Sequence, residues 1–183
     1  MAAPLAELLE VVVAVDARVV ELVVALRSPL LTKVMTSVTG LGSATAALVV
    51  VGLFRLAGWH GLVRRSAVAL LLAGVTVGGL MLAVQRPFPP HPVCVTDAAV
   101  AHSFPSGHAA AATVFTLVAR GTDRLPTAPT ALLAGAVAGS RIYLGTHYFS
   151  DTVAGVAIGI GAVLLARRLC ARVDWPSWLA AQP

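Results

Sequence analysis

Charge is what this chain has least of. Asp, Glu, Lys and Arg together make up 11% of its 183 residues, while hydrophobic residues make up 58%. A water-soluble domain carries about 25% charged residues. Too little polar surface is available to cover a soluble body, and a bilayer removes the need for it, because lipid faces apolar side chains directly. Lysine is nearly absent, with Lys33 alone against twelve arginines. The net charge of +5 therefore comes from arginines scattered between apolar runs. That scatter fits topology signals better than a nucleic-acid surface. Only two cysteines occur, Cys94 and Cys170. They fall in segments expected at opposite membrane faces, so no disulfide between them is expected. No Cys, His or acid grouping has metal-ligand spacing, and neither a metal nor another cofactor is expected. Linkers, repeats and low-complexity tracts are missing too. The N-terminus lacks the basic start and unbroken apolar core of a cleaved leader.

What is present is a series of apolar runs. Leu5 to Leu26 is interrupted by Asp16, Arg18 and Glu21 and reads as an amphipathic helix lying at the interface; a first transmembrane helix is the alternative. A short helix over Pro29–Val38 ends at Gly40-Leu41-Gly42. Five spans follow, over Gly42–Leu56, Ser66–Gln85, Ser106–Arg120, Thr127–Leu144 and Asp151–Ala166. The expected fold is all-α: an integral membrane helical bundle of about five transmembrane helices plus the N-terminal interfacial helix. It divides into residues 1–40, a membrane-embedded core over 41–170 and a cytoplasmic tail over 171–183. Small residues such as Ala109 to Ala112, Gly155 and Gly159 let membrane helices approach closely. Trp59, Trp175 and Trp178 read as interfacial anchors.

Topology follows from the arginines. Arg64, Arg65, Arg120, Arg124, Arg167, Arg168 and Arg172 mark one set of span ends as cytoplasmic. The other ends carry the polar clusters and are expected on the extracytoplasmic face of the plasma membrane.

Three clusters share that face. In the last, Ser140-Arg141, five residues, His147, three residues, Asp151, the final pair is four apart and shares one side of a helix. A carboxylate there accepts the imidazole N–H, fixes the tautomer and frees the other nitrogen to attack. Read alone, the pair also fits a helix cap. Arg141, and Arg86 of the Arg86-Pro87 cluster, each offer forked donors to phosphate oxygens. Pro105 pre-organises a helix start, and Ser106, Gly107 and His108 present first-turn amides to an anion. His108 is placed to act as general acid. His60, His91 and His102 have no partner spacing.

Together, Arg86-Pro87, Pro105-Ser106-Gly107-His108 and Ser140-Arg141…His147…Asp151 resemble the three signature motifs of the type 2 phosphatidic acid phosphatase family, whose superfamily includes vanadium haloperoxidases. The resemblance runs from about Gly42 to Arg168. It implies metal-independent hydrolysis of a lipid phosphate, a phosphatidate or a polyprenyl phosphate or diphosphate, through a phosphohistidine. His147 would be the nucleophile, Asp151 its orienter and His108 the general acid. Arg86, Ser106, Gly107 and Arg141 would hold phosphate, with Ser140 and Pro105 supporting. One departure stands out: Gly79 occupies the position where the family has a lysine, seven residues before Arg86. Lys33 is a candidate replacement. The implied partners are a lipid substrate and the bilayer, with no nucleic acid and no preferred oligomeric state. The competing expectation is a membrane protein that binds a phospholipid head group without catalysis.

Overall fold

The computed structural model describes residues 2–93 and 102–173. Cys94, Trp175, Trp178 and the end of the tail lie outside the described residues. Seven α-helices make up the described chain, without strands: α1 (Ala2–Ala25), α2 (Pro29–Thr39), α3 (Ala44–Leu56), α4 (His60–Val84), α5 (Gly107–Ala119), α6 (Thr127–Tyr143) and α7 (Phe149–Arg172). Local signals set their starts. Ser28 caps α2 by accepting from the Leu31 amide at 3.3 Å, with Pro29 in the first helical position. Ser43 caps α3 by accepting from the Ala46 amide at 3.1 Å.

Helices α4 and α7, of 25 and 24 residues, are each long and apolar enough to cross a bilayer. The pair α2 and α3 passes the same test as one unit, bent by 55° at a 3-10 turn over Gly40–Gly42. The α4 helix begins six residues before the expected second span, and α7 continues six residues beyond the expected fifth. At 13 residues α5 is only about 20 Å long, so its N-terminus is sunk inside the bundle. Large apolar side chains such as Leu48, Leu82 and Leu132 are 73–76% exposed, as lipid-facing residues are.

The core forms where α4, α5 and α7 meet, around Ala69, Ala73, Val114, Val163 and Ala166. Close approach there depends on missing side chains. A Cβ on Gly155 would stand 2.3 Å from the Ser106 carbonyl oxygen, and one on Gly159 would stand 2.7 Å from that of Ala110. The small residues of α7 thus let α5 pack backbone against backbone. Gly42 does the same at the α2–α3 bend, where a Cβ would meet Val137 at 2.5 Å and His108 at 3.0 Å.

The N-terminal segment is tied into this bundle. Arg27 donates to the carbonyls of Tyr143 at 3.2 Å and His91 at 2.7 Å, and the Tyr143 hydroxyl accepts from the Ser28 amide at 3.0 Å. In α1 the apolar side chains Leu8, Leu9, Val11 and Val13 are exposed, while Asp16 is 1% exposed and faces the bundle.

Candidate active site

Two helix starts, α5 and α7, and the last turn of α6 converge at one end of the bundle. Ser106 caps α5; its hydroxyl accepts from the Ala109 amide at 3.4 Å, and its own amide donates to the Asp151 carbonyl at 3.0 Å. The cap of one motif is therefore joined by backbone to the first turn of α7. The amides of Gly107 and His108 open α5, with no helical carbonyl behind them. They carry the positive end of the dipole, which favours an anion.

The chain leaves α6 through a turn at Gly145, φ +70°, and folds back on Arg141. The Arg141 carbonyl accepts from the amides of Thr146 at 3.1 Å and His147 at 3.3 Å, and from the Thr146 hydroxyl at 3.1 Å. This wrap holds His147 beside Arg141. Ser140 is fully buried and donates to the Val137 carbonyl at 2.6 Å, which anchors the last turn of α6. The Arg141 guanidinium donates to Thr39 at 2.9 Å, beside the Gly40–Gly42 turn that also presses on His108.

His147 is 4% exposed, and its Nδ1 is bonded to the Ser103 carbonyl. A carbonyl only accepts, so Nδ1 carries the proton and Nε2 keeps its lone pair. Burial is the main cause that lowers the His147 pKa, to about 3, and the Arg141 charge adds to it. The ring is therefore neutral at ordinary pH, as a nucleophile must be. Ser103 is fixed in turn: its amide donates to the Arg86 carbonyl at 2.7 Å and its hydroxyl to that of Pro87 at 2.9 Å.

Two of the expected site residues are held in unexpected ways. The Asp151 carboxylate makes no bond to the His147 imidazole, whose Nδ1 is held by the Ser103 carbonyl. The α7 helix begins only at Phe149, so His147 precedes it and the two residues share no helical face. The fully buried carboxylate of Asp151 accepts from the Tyr148 amide at 2.8 Å and from Arg86 Nη1 at 2.6 Å. Arg86, expected to hold phosphate, commits both terminal nitrogens within the protein: Nη1 to Asp151 and to Ser150 Oγ at 2.8 Å, Nη2 to Asp16 at 2.8 Å. Its guanidinium also lies over the Tyr148 ring, 3.9 Å from the centroid. Lys33 stays exposed on α2, and Gly79 is exposed on α4 with open space at its Cβ.

Three contributors were missed from the sequence. Asp16 accepts from the Ser150 amide at 2.9 Å, from Ser150 Oγ at 2.5 Å and from Arg86. An acid inside an apolar run was its only signal. The Ser103 carbonyl and the Thr39 hydroxyl had none. Among the described residues no group of His, Cys, Asp and Glu is placed to hold a metal.

From His108, an apolar groove of about 570 Å³ opens between α3, α4 and α5, lined by Leu48, Val51, Leu71 and Gly74 among others.

The PAP2 superfamily model matches residues 62–175. This chain belongs to the PAP2 superfamily. It is 39% identical over 85 residues to decaprenylphosphoryl-5-phosphoribose phosphatase of Mycobacterium tuberculosis, which covers 44% of this chain and 47% of that relative. The chain thus matches about half the length of that curated relative. Among solved structures, a transmembrane PAP2 type phosphatidylglycerolphosphate phosphatase from Bacillus subtilis superposes with a TM-score of 0.77 at 22% identity, over 90% of this chain and 88% of that one. LpxE of Aquifex aeolicus superposes with a TM-score of 0.72 at 25% identity, over 83% and 94%. The first likeness is one of fold. The PAP2 superfamily chain is therefore a membrane protein whose described residues form helices without strands, in the architecture of its relatives.

Proposed function

We propose that this chain is a lipid phosphatase that cleaves a phosphomonoester or diphosphate through a phosphohistidine on His147. The observation that carries this reading is the state of His147: buried, neutral, with Nδ1 spent on Ser103 and Nε2 left to attack, beside Arg141 and the head of α5. Nε2 attacks phosphorus in line. The bond to the leaving oxygen breaks, and His108 gives that oxygen a proton. Water then attacks the phosphohistidine, His108 takes its proton, and inorganic phosphate leaves. Arg141 and the amides of Gly107 and His108 stabilise charge on the equatorial oxygens. Arg86 acts through Asp151 and Ser150, holding the start of α7 in place.

A lipid reaches this site sideways. The groove from His108 is apolar along its walls and suits an acyl or isoprenyl chain, while the phosphate lies at its polar end. The match to a phosphatase named for a decaprenylphosphoryl substrate supports a polyprenyl carrier. The arginine-rich span ends favour a plasma-membrane protein with its active site on the extracytoplasmic face.

The test is phosphate release by the purified chain across a panel of polyprenyl phosphates, polyprenyl diphosphates and phosphatidates, with His147→Ala as control. Release that His147→Ala abolishes is expected. Lipid phosphate binding with no release by the wild type would leave a head-group-binding protein instead.

A further inference from the structure

The end of the bundle opposite His108 and His147 carries a second concavity. It has a volume of about 800 Å³ and lies among the start of α4, the end of α5 and the last turns of α7. Arg64 and Arg65 enter it from α4, Arg120 from the end of α5, and Arg167 from α7. Gly121 forms part of its floor. Arg65 Nη1 and Arg167 Nη2 lie 3.9 and 3.5 Å from the point where a Cβ on Gly121 would stand. Two guanidinium groups from different helices thus reach over one bare glycine, so their nearest nitrogens are no more than about 7.4 Å apart by that geometry, close enough to repel appreciably.

Their other contacts do not answer that repulsion. Arg167 Nη2 donates to the Leu117 carbonyl at 3.1 Å, which caps α5 and accounts for one arginine. Asp123 is the carboxylate in the turn after α5, yet among the described residues no carboxylate comes within 4.0 Å of Arg65, Arg120 or Arg167. A topology signal needs positive charge near a span end, but it does not need guanidinium groups from three helices around one hollow. The wall on the lipid side is apolar, from Leu117, Ile160 and Leu164. A polar end with several arginines beside an apolar wall matches a phosphate-bearing head group whose chains stay in the bilayer.

We propose that this basin binds the phosphate of an anionic phospholipid, at a site separate from the catalytic one. The phosphate lies over Gly121 and accepts from Arg65 and Arg167, with Arg64 and Arg120 adding charge at the rim. The chemistry is that of phosphate on a guanidinium pair, so free phosphate competes for the same place. This does not depend on the catalytic reading, because the basin contains neither histidine.

The experiment uses the full chain in phosphatidylcholine nanodiscs with and without phosphatidylglycerol, and in neutral detergent with inorganic phosphate. Thermal unfolding is followed for the wild type, for Arg65→Gln/Arg167→Gln, and for Gly121→Leu, which fills the floor but keeps every charge. Phosphatidylglycerol is a diester and offers the active site no terminal phosphate. A rise of about 3–6 °C in the wild type, lost in both variants, is expected. A rise with inorganic phosphate of the same variant dependence supports the same site filled from solution. An equal rise in wild type and variants, or no rise with either anion, overturns the proposal. Should the double variant fail to fold, Gly121→Leu alone decides, since its Cβ meets its neighbours at ordinary contact distance.

Discussion

Replacing Asp16 with alanine tests whether an acid on the first helix holds the active site together from 134 positions away. The carboxylate accepts three bonds, from Arg86, the Ser150 amide and the Ser150 hydroxyl, and it is 1% exposed. Its loss leaves Arg86 with one carboxylate in place of two and strips the first turn of α7 of an acceptor. Breaking a buried ion pair from one side costs about 3–5 kcal/mol. The Arg86 side chain is 24% exposed, so water recovers part of that, and about 2–4 kcal/mol is expected. Asp16→Asn keeps an acceptor for Ser150 and loses the charge, and about half that cost is expected. Arg86→Ala alone leaves two buried carboxylates without their cation; once Arg86 is gone, removing Asp16 relieves one of them. A cycle of Asp16→Ala, Arg86→Ala and the double variant should therefore show coupling of about 1.5–3 kcal/mol in stability. The same cycle read on kcat/KM should show coupling of the same sign, because Arg86 also bonds Asp151, whose carboxylate holds the amide of Tyr148, the residue after His147. Thermal unfolding in detergent and phosphate release supply the two readings. Additivity within about 0.5 kcal/mol in both would refute the network.

Other perturbations read other parts of the site. His108→Ala should lower turnover by about 10²–10⁴-fold and let phosphohistidine accumulate on substrates with good leaving groups, seen by phosphate labelling after an alkaline denaturing quench, since the N–P bond is acid-labile. The His147 pKa is below that of an unfolded histidine, so the unfolded chain binds more protons between about pH 6.5 and pH 3. Stability contributed by the neutral ring is present above that window and lost as pH falls through it; melting temperature should drop on acidification, and His147→Gln should flatten the drop. Gly155→Val forces a branched side chain where even a Cβ meets the Ser106 carbonyl at 2.3 Å; a loss of about 1–3 kcal/mol or more is expected by denaturation, against little for substitution at exposed Gly161. Gly74→Phe fills the apolar groove from a position with open space at its Cβ. It should raise KM for long-chain lipid phosphates while leaving a short soluble phosphate ester unaffected.

The sequence made the chemistry legible because its motifs are local. Pro105 to His108 reads as a helix start, and α5 does begin at Gly107. Arg141 and His147 share a short turn, so their proximity follows from spacing. The long apolar helices α4 and α7 were equally readable, although their arginine-bearing end turns were underestimated, since arginines there continue a helix as readily as they end one. Four-residue spacing implies a shared face only inside a helix, and His147 precedes α7, so the expected contact between its imidazole and Asp151 is absent from this geometry. A backbone acceptor such as the Ser103 carbonyl leaves no trace in residue identities. Asp16 looked like one polar interruption of an interfacial helix, and only the fold brings it to Arg86.

The junction of Ser106 with α7, an amide on the Asp151 carbonyl and a carbonyl against bare Gly155, is made entirely of main chain. Main-chain geometry is indifferent to which apolar side chains line the groove outside it. The reactive centre can therefore keep its alignment while α3 and α4 exchange bulky for slender residues, and new lipid preferences can arise by altering the hydrocarbon channel alone.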